Sequence, residues 1–256
     1  MTQSIHAFGH GFHHIRGSFR IGGVVDVGTH CSLVEMGDGS CVFLDSYTLT
    51  GAVLDEVLRL TDGGSRVAAI LNLHPYHTVH CEWMHRTFPK ARLFGTARHR
   101  DKLQHLPWEA EGCEGEVLRR EFGSSLQFSV PRGVDFICEN DRVHFASVLA
   151  YHPASGTIHV DDTLSALRLP GPLARLPRSG RIDFHPTLRM ALRKEAGAAN
   201  AFGDWVFDLG ADWHAARRLA AAHNSVVKLR QDFPEQLGGA LGRVTRVLDR
   251  HRARWG

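Results

Sequence analysis

Histidines gather at one point of this sequence. His74, His77 and His80 follow directly on the apolar run from Val67 to Leu73, which is strand length, and Pro75 ends regular pairing just there. Imidazoles spaced in this way beyond a strand tip are groups that can hold a divalent metal. Strand tips in open α/β sheets are also where ligands gather, because loops there carry polar groups on a rigid base. The chain has 18 histidines, so ordinary loop residues are the competing reading.

The elements that must position these groups can be read in order. Residues 12–44 are short apolar segments broken by glycine, and Gly37-Asp38-Gly39 between two β-rich runs is a hairpin signal, which predicts an antiparallel meander. It ends on Cys41-Val42-Phe43-Leu44-Asp45. Val53, Leu54, Val57 and Leu58 fall at helical spacing over 51–61, and Asp62-Gly63-Gly64 stops that helix. The strand before His74 follows, then a helix from Cys81 to Phe88, a strand over 91–96 and a helical turn over 97–103. Residues 105–125 read as a polar surface excursion. A second meander is predicted over 126–130, 134–138, 142–149 and 157–160, followed by an irregular linker over 169–181. Helices are predicted over 186–199, 212–223 and 234–252, the last with Leu237, Leu241, Val244 and Leu248 on one stripe. Two meanders, each followed by helices, predict two similar halves packed sheet on sheet: an α+β fold of four layers, αββα, in one domain over residues 1–256.

Bulk properties narrow the function. A formal charge of +3 is too small to argue for nucleic acid, and the arginines of the last helix read as a solvated face. Five cysteines without CxxC spacing leave at least one unpaired, as reduced thiols in a cytoplasmic protein do. No apolar run approaches about 18 residues, so the expectation is a soluble chain acting on a small molecule, with no membrane partner. The oligomeric state is not legible.

Phe43-Leu44-Asp45, a helix, Ile70 to His77, and then Phe88-Pro89-Lys90-Ala91-Arg92-Leu93-Phe94-Gly95-Thr96 together resemble the metallo-β-lactamase superfamily in order and spacing. That family reads a strand ending in Asp, a helix, a strand ending in Thr-His-x-His-x-Asp-His, a helix and a further strand. Leu71 to His77 lie on the seven-residue motif without a gap. His74 and His77 match two of its metal ligands, whereas Asn72 stands where the first His would be and Tyr76 where the Asp would be. Further on, Tyr151-His152-Pro153-Ala154-Ser155-Gly156 resembles the family's Gly-His-Thr-Pro-Gly-Ser loop, and His159 to Leu164 its strand ending in Gly-Asp, at a short spacing. Ala221-Ala222-His223-Asn224 resembles its late His-Gly. The likeness covers roughly residues 12–230.

The resemblance implies a metal site built from His74, His77, His152, Asp162 and His223, with Asp161 as the alternative carboxylate because successive strand residues face opposite ways. Four imidazoles and one carboxylate suit one tightly held ion, zinc first and iron or manganese as alternatives, and are thin for two. His80 and His85 read as structural and Cys81 as a packed thiol. The implied chemistry is hydrolysis of an ester, thioester, lactone, amide or phosphoester by a metal-activated water. Asp162 and Tyr76 are the catalytic candidates, the phenol as donor to a developing oxyanion. The alternative, from a different class, is a decayed site that binds a small ligand or partner without catalysis.

Overall fold

A computed structural model describes residues 3–18, 20–21, 25–26, 28–167, 180–222, 225–229 and 232–256. Its first large sheet is six-stranded. In spatial order it runs β1 (Ser4–Gly9), β2 (Phe12–Gly17), β5 (Thr29–Glu35), β6 (Cys41–Leu44), β7 (Val67–Leu71) and β8 (Arg92–Phe94). The pairs through β6 are antiparallel and the last two are parallel. The two-residue strands β3 (Arg20–Ile21) and β4 (Val25–Asp26) pair with each other in a separate ladder. The hairpin expected at the Asp-Gly turn joins β5 to β6, closed by Gly39 N–H donating to Met36 O at 2.9 Å.

The second sheet has five strands: β15 (Ser225–Lys228), β14 (Arg218–Ala221), β11 (Thr157–Val160), β10 (Leu149–His152) and β9 (Gln127–Ser129). A small ladder joins β12 (Leu164–Leu167) to β13 (Arg181–Phe184). The helices are α1 (Gly51–Leu60), α2 (Cys81–Thr87), α3 (Ala97–Lys102), α4 (Val117–Phe122), α5 (Leu188–Ala191), α6 (Ala198–Asp212) and α7 (Phe233–Trp255).

Strand alternation sorts these elements into layers, because successive side chains point to opposite faces. On β7, Ile70 packs outward with Val53 and Val57 of α1 and Cys81 and Met84 of α2. Its neighbours Ala69 and Leu71 pack inward with Phe128, Val148 and Ala150 of the second half. On the far side, Leu149, Tyr151, Ile158 and Val160 meet Phe202, Trp205 and Leu209 of α6 and Phe233, Leu237 and Leu248 of α7. The order is helix, sheet, sheet, helix, as the sequence predicts.

Five expectations about elements need correction. The 105–125 excursion contains α4, whose Val117, Leu118 and Phe122 are buried. Residues 134–138 make one isolated bridge, Val134 to Leu192, in place of a strand. Over 142–149 the apolar pattern comes from burial without a ladder. Val143, Phe145, Ala146 and Val148 are buried, yet pairing begins only at Leu149. The expected helix over 212–223 is instead the end of α6 and then β14, which runs parallel to β11. Leu219, Ala220 and Ala221 are all buried, and a central strand covered on both faces loses the alternation that would separate it from a helix. The expected helix over 186–199 resolves into α5 and the start of α6. Most of the linker expected over 169–181 lies outside the described residues.

Candidate metal centre

The parallel pair β6 and β7 brings two chain segments to one edge of the first sheet, and Asp45 joins them. It sits one residue beyond β6 with φ of 62°, a left-handed conformation that Asp tolerates better than most residues. Its backbone N–H donates to Leu71 O at 2.8 Å, and its Oδ1 accepts the Leu73 N–H at 2.8 Å. The backbone entering the histidine loop is therefore clamped by a carboxylate. Asn72, between them, is fully buried and turned to the helical side. Its Oδ1 accepts from Ser46 Oγ at 2.6 Å and Cys81 Sγ at 3.3 Å, and its Nδ2 donates to Phe94 O at 3.0 Å. That amide is consumed by structure and offers nothing to a cation.

Beyond Leu73 the loop folds on itself, with His77 N–H donating to His74 O at 3.1 Å and the Tyr76 N–H to His74 Nδ1 at 3.2 Å. The rings of His74 and His77 stack with centroids 4.2 Å apart. His74 is buried, and its Nε2 lies 3.2 Å from Asp162 Oδ2 without a hydrogen bond. One ligand atom from each of His74, His77 and Asp162 falls within 4.8 Å of the others. His99 supports the loop from below. Its Nε2–H donates to His77 O at 3.3 Å while its Nδ1 accepts the Thr96 N–H at 3.3 Å. Burial brings its pKa down to about 4, against smaller opposing effects from the His77 carbonyl and Asp45.

The consecutive acids Asp161 and Asp162 follow β11 and, as the pleat requires, face different ways. Both are used. Asp162 turns to His74, and Asp161 turns to His77 Nδ1 at 3.5 Å and His30 Nε2 at 3.2 Å. Behind them a file of buried polar groups crosses between the sheets. His159 Nε2 donates to Asp45 Oδ2 at 2.9 Å, its Nδ1 meets Ser32 Oγ at 3.0 Å, and Ser32 meets His14 Nδ1 at 3.3 Å. His30 stacks on His159 with centroids 4.3 Å apart. Burial alone would push the Asp45 carboxyl up, but the hydrogen bond and charge of His159, with His77 nearby, hold it well below the usual range. Asp161 goes the other way, raised by burial and then by the charge of Asp45. His14 is pushed well down by burial and then by the charge of His159.

His14, His30, His99 and His144 were not anticipated at this centre. His144, in the unpaired stretch before β10, stands with its ring centroid 6.0 Å from that of His74 and 4.2 Å from that of Tyr76. Its Nε2–H donates to Asp141 O at 2.6 Å, which leaves Nδ1 as the lone-pair nitrogen of the neutral ring. The signal was present in the spacing. The interval from His152 to Asp162 is short for the family's hairpin, and that shortness points upstream to His144.

His152 itself must be reassigned. β10 and β11 are antiparallel with His152 opposite Thr157, at the end of β11 farthest from Asp161 and Asp162. Four residues of strand span about 13 Å, so His152 belongs to the opposite rim. There it bonds Ser155 Oγ at 3.0 Å and lines an open groove with His10, Glu35 and Met36. Burial, then the charge of His10, lowers its pKa. Tyr76 needs correction too. Its hydroxyl donates to Cys138 O at 3.3 Å and accepts from Cys138 N–H at 3.1 Å, so it is committed to backbone and not available as an oxyanion donor. Arg98 lies over the phenol ring at 4.6 Å and pairs with Asp141 at 3.2 Å. His223 lies outside the described residues.

The donor chemistry fits a divalent ion. Ligands about 2.0–2.1 Å from a tetrahedral zinc lie about 3.4 Å from one another, and His74 Nε2 and Asp162 Oδ2 are 3.2 Å apart. Binding at Nε2 requires the ring proton on Nδ1, which exchanges the long Tyr76 contact for the metal bond.

Solved structures share this arrangement of elements. A metallo-β-lactamase from Erythrobacter litoralis superposes over 95% of this chain and 96% of its own with a TM-score of 0.60 at 12% identity. The fold is that of the metallo-β-lactamases. A metallo-β-lactamase from Pontibacter korlensis matches over 97% and 99% of the two chains with a TM-score of 0.56 at 11% identity. The metallo-β-lactamase FIM-1 from Pseudomonas aeruginosa, in a mono-zinc form, matches over 97% of each with 0.58 at 10% identity. No protein-family model and no curated protein matches the sequence. Identities this low establish the metallo-β-lactamase fold and no particular activity. Among the described residues no helix is long and apolar enough to cross a membrane.

Proposed function

We propose that this metallo-β-lactamase-fold chain is a metal-dependent hydrolase of small esters, thioesters, lactones or phosphoesters. One tightly held divalent ion, zinc in the first instance, would be bound by His74, His77 and Asp162, with His144 beside them. The observation that carries this reading is the convergence of two imidazoles and one carboxylate within 4.8 Å at the sheet edge, on the motif positions the resemblance marks. When bound, such an ion lowers the pKa of a water ligand to about 7 and polarises a carbonyl or phosphoryl oxygen.

The chain's own groups supply the rest. Asp45 and His99 fix the loop that carries His74 and His77. Asp162 provides the anionic donor, and Asp161 faces the other nitrogen-bearing side of the cluster, against His77 Nδ1. Tyr76 takes the place of the family's acid and backs His144 with an apolar ring face. Val79, on the histidine loop, and Ile137, beside the backbone that holds Tyr76, are exposed apolar side chains that suit an acyl group at the rim.

The test uses the untagged full chain. Metal content is measured by mass spectrometry, and hydrolysis of p-nitrophenyl acetate and bis-p-nitrophenyl phosphate is measured before and after chelation. Close to one equivalent of metal is expected, with turnover abolished by chelator and reduced at least tenfold in Asp162→Asn. A metal-free chain whose stability ignores chelators would instead favour a ligand-binding protein with no hydrolytic chemistry.

A further inference from the structure

At the rim opposite the metal centre, turns from both halves of the molecule meet around an open groove of about 570 Å³. The β1–β2 tip brings His10 and Gly11, the β5–β6 hairpin brings Glu35 and Met36, and the end of β10 brings His152. A volume of this size is usual for a small-molecule site. We propose that the groove binds a small organic cation, a protonated amine with a short apolar tail, held by Glu35 and His152. Nothing in this proposal depends on the metal chemistry above.

The turns are tied to one another. A Cβ on Gly11, whose φ is 76°, would fall 2.7 Å from Glu35 Cβ, and Glu35 N–H donates to Gly11 O at 3.0 Å. Gly37 N–H reaches across the two halves to Ser125 Oγ at 3.3 Å. Between two glycines, His10 holds a left-handed φ of 50°, an uncommon conformation for a residue with a side chain.

His152 decides what the groove accepts. Its side chain lines the groove and is almost wholly buried, with 4% of the residue exposed. Nδ1 meets Ser155 Oγ at 3.0 Å, while that hydroxyl also donates to His152 O at 3.4 Å. One serine proton cannot serve both. Both contacts are satisfied when the hydroxyl donates to the carbonyl and the ring donates from Nδ1, and a neutral imidazole then carries its lone pair on Nε2. That nitrogen meets no partner among the described residues, and a buried acceptor left unmatched is costly. Glu35 adds a second acceptor. Arg66 Nη2 donates to its Oε1, and among the described residues no protein donor meets Oε2. The pair is exposed, so it holds Glu35 only weakly.

A lone pair and a carboxylate both disfavour an anion, and the charge of Glu35 favours an ammonium over a neutral donor. A metal ion is excluded by spacing. Donor atoms of His10, Glu35 and His152 do not converge within 4.8 Å, whereas ligands on a tetrahedral zinc lie about 3.4 Å apart. Met36, Pro153 and Ala154 supply the apolar surface for the tail.

The n-butylammonium ion is the probe, with n-butanol and butyrate as neutral and anionic controls of matched shape. Each is titrated into the nitrogen-15-labelled full chain while imidazole and backbone amide resonances are followed. The amine should shift His152 Nε2 and the Gly11 amide saturably, with n-butanol about tenfold weaker or more, as loss of a charged hydrogen bond implies, and butyrate without effect. Glu35→Gln should weaken the amine by about the same factor and leave zinc uptake at His74 and Asp162 unchanged. Absence of a saturable shift at His152, equal binding of n-butanol, or preference for butyrate would overturn the proposal. So would a His152 spectrum with the proton on Nε2, or amine shifts confined to His74 and His77. Because the unaltered chain gives each of these readings, a variant that fails to fold does not obscure the result.

Discussion

Tyr76 lies flat against His144, with ring centroids 4.2 Å apart and planes within 14° of parallel. A residue standing where the family has an acid thus supports a ligand-type residue from the other half of the molecule. With its hydroxyl tied to both backbone atoms of Cys138, the phenol joins the histidine loop to the segment that leads into His144.

His144 and His152 make opposite predictions. His144→Ala should weaken zinc binding roughly tenfold or more, in line with losses seen when groups at a metal site are removed. His152→Ala, at the far rim, should leave affinity unchanged. Competition with a chromophoric chelator measures both, and an effect of His152→Ala equal to that of His144→Ala would refute the placement.

Tyr76→Phe removes the hydroxyl and keeps the stack. The Cys138 N–H and C=O lose their partner, costing about 1 kcal/mol of stability, while metal affinity should stay within twofold. Tyr76→Asp, in contrast, removes the stack and adds a carboxylate, and should raise metal uptake. Urea unfolding and metal analysis of the two variants separate these effects.

Asn72→Ala leaves the buried Ser46 hydroxyl without its acceptor and opens a gap beside Cys81, while the Phe94 carbonyl keeps the residue 72 backbone N–H at 2.9 Å and the thiol keeps His77 O at 3.6 Å. Unfolding measurements should show a loss of about 2–3 kcal/mol, with the metal stoichiometry of the folded fraction unaltered. A change in stoichiometry without loss of stability would show that the amide serves the ion after all.

The pH dependence of the metal-stripped chain should carry the mark of His99. Its folded pKa of about 4 lies below the ordinary value near 6.5, so the unfolded chain binds the extra proton. The stabilising contribution is present above pH 6.5 and is lost as pH falls towards 4, by roughly 3 kcal/mol in all. Protonation would also set an Nδ1–H against the Thr96 N–H it now accepts from. Denaturation between pH 7 and 4 should therefore show a shallower slope in His99→Gln, and an unchanged slope would count against this origin.

Much of the architecture was legible in the sequence because it is written in local periodicity. The glycine-broken meander, the helix that Asp62-Gly63-Gly64 stops, the apolar strand running into His74 and the amphipathic last helix each encode their own face. The same local reading placed His74 and His77 at a strand tip and put an acid pair after β11. It failed where burial and secondary structure part company. The stretch 142–148 is buried without pairing, and β14 is buried on both faces, so neither shows a period that names its state. The register of neighbouring strands was also beyond it. Only the antiparallel register of β10 on β11 carries His152 away from the centre, and only the packing of one sheet on the other brings His144 beside Tyr76 and His159 onto Asp45. Residue types set which groups can bind a cation, but those groups come from strand ends far apart in sequence, and only tertiary packing fixes which of them meet.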